Sequence, residues 1–305
     1  MKVGFSLDID KKEASSGKHK FFIRLAQEMK KNGIIIDNNN PDIYLYLSGM
    51  PINKNARVNI LRLDGLIMNT RWDYRGKNKK ILKSIKQSDG IIYQGNFCKE
   101  AYEKFLRVKK TPFVIIPNGA SSSEFLDRCP KDFFLANSKW RPHKRLKDII
   151  KSYLMAVDMG LKSYLVITGE PDYKYKHPKI KYVGWTKRKE LKVFLSSAIA
   201  SIHLTWLDWC PNSMIEAVVA RCPLIYTKSG GQTEMGRGSG IGIDDVQWEF
   251  TLIDLYNPPS INKQKVVDAM LFLEENKNKT YIDRNELNIR VVCQQYIDYF
   301  KRVLK

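Results

Sequence analysis

The sequence has no run of 18 or more apolar residues, so no segment of it reads as a membrane-spanning helix. Its opening, MKVGFSLDID, lacks the basic-then-apolar order of a secretory leader. Its five cysteines, Cys98, Cys129, Cys210, Cys222 and Cys293, are odd in number, scattered and without CxxC spacing, which argues against a disulfide framework and against a cysteine-based zinc site. The four histidines, His19, His143, His177 and His203, show no metal-ligand spacing, and His203 reads as a buried strand residue. Together these absences point to a reducing compartment and an unprocessed, soluble, cytoplasmic protein.

Acidic residues are also scarce: 32 Asp and Glu stand against 52 Lys and Arg, a formal charge of +20. Residues 1–135 hold 25 basic against 14 acidic side chains and the remainder 27 against 18, so no single arm or tail carries the excess. A field spread in this way suits anionic substrates or peripheral contact with an anionic membrane, and serves solubility equally well. What is present is enough for a full core, since 43% of 305 residues are apolar, and the length favours two domains.

Near-continuous apolar runs, as in strands buried on both faces, occur at Val3–Leu7, Ile43–Leu47, Val58–Leu63, Gly90–Tyr93, Phe113–Ile116, Phe133–Ala136, Tyr164–Thr168, Ile199–Leu204 and Leu224–Tyr226. Helical spacing intervenes, with Leu146, Ile149, Ile150, Tyr153, Leu154 and Val157 on one face and Leu191, Phe194, Leu195 and Ala198 on another. Such alternation predicts an α/β protein with parallel sheets. The Ser-rich SSSEFLDRCP interrupts it and marks a boundary, giving domains 1–130 and 131–285. In residues 286–305, Val292, Tyr296, Tyr299, Phe300 and Val303 share a helical face, and that helix is expected to pack back toward the N-terminal domain.

The chemistry concentrates between Phe133 and Glu234. In KWRPHKRL, Lys139 and Lys144 stand beside the start of the helix near Leu146, where free N–H groups already favour anions. Two ammonium groups there repel each other and oppose the helix dipole unless an anion lies between them; the alternative is a solvated loop. Further on, Asp208 and Glu216 have seven residues between them. Pro211, Asn212 and Ser213 read as a helix start, with Asn212 or Ser213 as cap and Glu216 in the first turn, where an acid also suits the dipole. A sugar nucleotide needs both kinds of group, cations for its diphosphate and carboxylates for its hydroxyls. Gly230 and Gly231 follow the apolar PLIYT, as a tight turn close to a ligand would require, and Glu234 beyond them suits a sugar hydroxyl or a helix cap. Asp64 ends a strand where such folds place ligands, though an Asp-Gly turn uses the same residues. Gly17 and Lys18 open a helix whose first turn, Lys18, His19 and Lys20, has the wrong sign for its dipole, either because an anion is near or because the turn is loose and exposed. Asn118-Gly119 reads as a structural turn.

In chain order, RLDG (Arg62–Gly65), IIYQGNF (Ile91–Phe97), IPNG (Ile116–Gly119), KWRPHKRL, the Asp208 to Glu216 segment and CPLIYTKSGGQTE resemble the retaining glycosyltransferases of family 4. The resemblance implies the GT-B fold, two facing Rossmann-like domains with the active site in the cleft between them. It implies a sugar nucleotide of UDP or GDP type as donor, a glycan, lipid-linked or other hydroxyl acceptor, and neither metal nor other cofactor. By the same resemblance Lys139, Arg141 and Lys144 hold the diphosphate, with the N–H groups of Asn212, Ser213 and Met214 facing it. Glu216 takes the ribose hydroxyls, and Gly17 approaches the donor. Asp208 and Asp64 are the catalytic candidates, Asp208 for orientation and charge stabilisation in a front-face substitution and Asp64 for positioning the acceptor hydroxyl or contacting the donor sugar. Gly230, Gly231, Glu234 and Lys18 are further candidates. The family usually has Arg where Lys139 stands, so a bidentate contact becomes a point charge with Arg141 as its substitute, and it more often has Glu where Asp208 stands.

Two other readings compete. A nucleic-acid-binding protein with an inactive transferase fold would explain the charge and the Trp and Tyr among the lysines, but along the sequence the aromatics do not cluster with the charges and both acids remain. A sugar-nucleotide epimerase of the same fold would share the donor site.

Overall fold

The computed structural model describes residues 1–10, 16–109, 112–122, 125–277 and 283–305. Ala14 and Ser15 of the ASSGKHK stretch, and Ser123 and Glu124 of the Ser-rich boundary, lie outside the described residues. The chain divides into two units, the first made of Met1–Ala120, Phe250–Ile253 and Glu286–Lys305, the second of Ser121–Glu249 and Asp254–Asn285.

In the first unit, β1 (Lys2–Phe5), β2 (Ile35–Ile36), β3 (Ile43–Leu47), β4 (Val58–Leu63), β5 (Gly90–Tyr93) and β6 (Phe113–Ile115) form a parallel sheet of order β2-β1-β3-β4-β5-β6. Helices α1 (Gly17–Lys31), α2 (Tyr74–Gln87) and α3 (Asn96–Phe105) connect its strands, and α9 (Ile289–Val303) joins from the far end of the chain. The core explains that attachment. α9 buries Val292, Cys293, Tyr296, Tyr299 and Phe300 in one cluster with Phe21, Phe22 and Leu25 of α1. The bonded pair of Ala120 and Ile289, 2.8 Å from N–H to carbonyl, fixes where the helix starts. Phe250–Ile253 returns to the same unit through hydrogen bonds between Ile253 and the Met68 and Thr70 backbone.

The second unit repeats the plan. β7 (Phe133–Asn137), β8 (Tyr164–Thr168), β9 (Ile180–Gly184), β10 (Ser201–His203), β11 (Leu224–Lys228) and β12 (Gly240–Asp244) form a parallel sheet of order β12-β11-β10-β7-β8-β9. Its helices are α4 (Leu146–Asp158), α5 (Arg188–Ser197), α6 (Asn212–Val219), α7 (Gln232–Gly236) and α8 (Lys263–Glu275). α4 turns Leu146, Ile149, Ile150 and Tyr153 into a core that includes Phe134, Leu165 and Ile202 from the strands. The strand order reverses between β7 and β10, the position in such sheets where loops diverge and leave room for a ligand.

Three strands are absent from the apolar pattern. β2 has only two residues; β9 alternates buried and exposed positions at the sheet edge; and β12 reads GIGID, with glycine at alternate positions. Each is an edge strand, buried less completely than the central ones, so its sequence carries less apolar signal.

Candidate functional site

In the second unit the site is built where the strand order reverses. After β7 the chain passes Ser138–Arg141 and makes a single 3-10 turn, Pro142–Lys144, with Pro142 supplying the fixed backbone angle at its start. Arg145 then takes a left-handed conformation (φ 54°, ψ 41°) before α4 begins. That strained residue is held from its side chain. Its guanidinium meets Asp245 in a two-pronged pair, 2.7 and 3.1 Å, and donates to the Pro259 carbonyl at 2.8 Å, with both charged side chains fully buried. Arg145 therefore sets the direction in which Lys144 leaves the turn.

Lys144 points to the loop after β10, where its Nζ donates to Asp208 Oδ2 at 2.6 Å. Burial raises the Asp208 carboxyl, but the charge and hydrogen bond of Lys144 outweigh it and hold the group below the ordinary carboxylate range. The loop itself is gripped by the double glycine. Gly231 N–H donates to the Asp208 carbonyl at 2.8 Å, and a Cβ on Gly231 would stand 1.8 Å from the Trp209 carbonyl oxygen. The close approach that these glycines allow is thus to the chain's own Asp208–Trp209 backbone. Gly230 adds a φ of +66°, open to glycine at little strain.

The helix start differs from the sequence expectation. α6 begins at Asn212 with Pro211 as its cap residue and no side-chain cap bond, so neither Asn212 nor Ser213 caps it and Glu216 falls in the second turn, buried to 9% exposure. Pro211 takes the cap position because its ring presets an extended-to-helix junction and its missing N–H costs nothing there. Met214 N–H bonds the Pro211 carbonyl at 3.1 Å, which leaves the amides of Asn212 and Ser213 as those the helix start frees for an acceptor. The Asn212 Oδ1 is buried without a partner.

Lys144, Ser213, Pro211, Asn137, Trp140 and Gln232 line one small recess. Gln232, the first residue of α7, was not singled out from sequence. Its Nε2 donates to Thr227 O and Oγ1 at 2.9 and 2.6 Å and to the Thr205 carbonyl, while its buried Oε1 has no partner. His143 and His203 flank the ion pair. Burial and then the nearby Lys144 push each imidazole down to about 3, so both are neutral at physiological pH. His143 stacks on Tyr256, and His203 lies on β10 bonded to Ser201 Oγ at 2.9 Å. Lys139 and Arg141 are exposed on the segment before the 3-10 turn, and Glu234 sits in the first turn of α7.

The first unit holds the remaining candidates. Asp64 follows β4, and its Oδ1 accepts from the Arg62 guanidinium and from Gln94 Nε2 at 2.8 Å. Arg62 is fully buried, stacked 4.5 Å over the Phe21 ring and bonded to Tyr296 Oη at 3.1 Å and to Asn118. Asn118 is thus a working part of a polar network rather than a simple turn residue. The second oxygen of Asp64 is buried and unpartnered. Gly17 opens α1 after Ser16, whose Oγ accepts from the His19 N–H at 3.4 Å. The first turn is therefore capped, not loose, and His19 is buried with its ring bonded to the Asp8 carbonyl. Lys18 remains exposed to solvent in part, and desolvation followed by the Arg62 charge pulls its ammonium below the ordinary lysine value.

Among the described residues no group of three or more His, Cys, Asp or Glu side chains is arranged to hold a metal ion, and no helix is long and apolar enough to cross a membrane. No family model matches the sequence, and no curated protein matches it. Solved structures do match in fold. A sucrose-phosphate synthase from Thermosynechococcus elongatus aligns with a TM-score of 0.72 over 99% of this chain and 98% of its own, at 12% identity. Anabaena HepE in complex with UDP and glucose aligns at 0.65 over 98% and 99%, at 10% identity. WaaG, a glycosyltransferase involved in lipopolysaccharide biosynthesis, aligns at 0.63 over 97% and 95%, at 11% identity. At such identities the likeness establishes the fold, which is GT-B.

Proposed function

We propose that the chain is a retaining glycosyltransferase that moves a sugar from a nucleoside-diphosphate sugar to a hydroxyl acceptor on a glycan or lipid. The observation that carries this reading is the meeting of Lys144, Asp208 and the freed amides of Asn212 and Ser213 where the strand order of the second sheet reverses. A diphosphate seated there gains a cation and two N–H donors, and the same groups stabilise the charge that grows on the leaving phosphate. That one solved structure of the same fold holds UDP and glucose supports a UDP-type donor.

In this reading Lys144 and the helix start neutralise the leaving diphosphate, with Lys139 and Arg141 closing over it from their exposed segment. Asp208 orients the transferred sugar and balances its developing positive charge. Glu216 accepts from the ribose hydroxyls. Asp64, fixed through one oxygen by Arg62 and Gln94, positions a hydroxyl with the other. Substitution then proceeds on the face of the leaving phosphate, which takes the acceptor proton. The acceptor and the peripheral membrane contact fitted by the charge belong to the same proposal.

Thermal denaturation against a panel of UDP- and GDP-sugars tests the donor, since a ligand at about 100 times its dissociation constant stabilises by about 2.7 kcal/mol. Proton NMR of the product tests retention through the anomeric coupling. A donor that is epimerised without transfer, or no stabilisation by any member of the panel, overturns the proposal.

A further inference from the structure

We infer that the face of the second sheet formed by β8, β9 and α5 docks on an anionic membrane surface. The strand registers put the patch together. Phe133 pairs with Tyr164 across β7 and β8, and Val166 pairs with Lys181 across β8 and β9, so Tyr164, Lys181 and Val183 share one face. Lys181 Nζ lies 5.6 Å over the Tyr164 ring, which confirms the adjacency. The Phe133 ring packs edge-on against Phe194 at 6.1 Å, so α5 lies over the same face. Lys189 and Val193, four apart on α5, are both exposed, and Trp185 stands between β9 and α5.

Exposed apolar side chains are frequent in the stretch of chain that builds this face. Of the fourteen large apolar side chains exposed among the described residues, five fall between 164 and 193, led by Trp185 at 58%. The same thirty residues carry eight Lys and Arg against three Asp and Glu. Within this stretch Lys181 sits 5.6 Å over the Tyr164 ring and Lys174 5.8 Å over the Tyr182 ring. Lysines on an edge strand also deter strand pairing, but that does not require an exposed tryptophan with two valines beside them. A bilayer surface accommodates the combination: Trp and Tyr settle at headgroup depth, the valines enter the acyl boundary, and lysines pair with anionic headgroups. Nucleic acid would use the charge and the rings but gains nothing from the valines. The inference rests on the peripheral contact proposed above and names its surface, and vesicle binding is read without any sugar transfer, so that its failure and the failure of the donor reading are distinguishable.

Co-sedimentation of the full chain with phosphatidylcholine vesicles, with and without about 30% phosphatidylglycerol, tests it at about 0.1 M salt. Binding to the anionic vesicles alone is expected. The exposed double change Lys181→Glu with Lys189→Glu should lower the partition coefficient at least about tenfold, while Lys79→Glu with Lys83→Glu, the same charge change on exposed α2 positions, should leave it within about twofold. Trp185→Ser should remove the binding that persists at about 0.5 M salt, where Coulomb attraction is screened. Circular dichroism confirms that these surface variants fold. No binding to the anionic vesicles, equal loss in both charge pairs, or unchanged high-salt binding in Trp185→Ser overturns the inference. So does duplex DNA binding that Lys181→Glu with Lys189→Glu abolishes while vesicle binding is kept.

Discussion

Lys144 Nζ lies 2.6 Å from Asp208, so a diphosphate that takes Lys144 must share it with that carboxylate or displace it. Lys144→Ala should weaken nucleoside-diphosphate binding by roughly 1.5–3 kcal/mol, the range for a hydrogen bond to a charged group, and calorimetry reads it directly. The fold should survive, because both side chains of the pair are partly open to solvent. The two acids separate by substrate. Glu216→Gln should raise the dissociation constant of the bare nucleotide, whereas Asp208→Asn should lower kcat more than it weakens that nucleotide. Equal behaviour of the two variants toward nucleotide without sugar would refute the division of roles. His203 offers a pH signature. Its folded value of about 3 lies below the unfolded value near 6.5, so in that window the unfolded chain binds a proton that the folded chain does not. Stability contributed by the neutral ring is complete above about pH 6.5 and is lost as pH falls toward 3, with a slope up to about 1.4 kcal/mol per pH unit. Urea unfolding of His203→Gln at successive pH values should show a shallower acid limb than the parent.

At the scale of elements, the double glycine after β11 sets where the Asp208 loop rests. Gly231→Ala places a methyl group against the Trp209 carbonyl, backbone against backbone, with no flexible side chain to yield. The loop must shift, and nucleotide binding should fall with stability. Gly160→Ala, in open space at φ +104°, bears only backbone strain of about 1 kcal/mol and should leave nucleotide binding unchanged. Thermal denaturation and nucleotide titration of the two variants compare them. The central strands were legible in sequence because burial on both faces demands unbroken apolar runs such as IYLYL and YLVIT. The edge strands were not, since β9 alternates buried or half-buried with exposed residues and β12 has only Ile243 fully buried, between two glycines and an acid. The charged residues of the candidate site stood out in sequence only through the ordered set of motifs, since charges at turns suit a solvated loop equally well. Their partners did not. Lys144 and Asp208 meet across 64 positions and Arg145 and Asp245 across 100, separations that no local pattern encodes. Gln232 had only its place after two glycines to recommend it.

Across the whole molecule, charge and connectivity act on different properties. The net +20 concerns solubility and partners, and any affinity resting on it should fall steeply with salt, which a specific sugar-nucleotide site should not. Connectivity bears on how the protein forms. The first unit needs α9, which follows all of the second unit in the chain, whereas the second unit needs only four residues fewer than a continuous stretch. Phe21, Phe22 and Leu25 therefore have no cover from Tyr296 and Phe300 until some 270 intervening residues have been made. A nascent chain should accordingly complete its second sheet first and hold its first sheet open, exposed to chaperones, until α9 docks. Pulse-labelled hydrogen exchange during refolding should show protection in β7, β8 and β11 before β1 and β3, because closing so long a loop slows the earlier half of the sequence more than the later one.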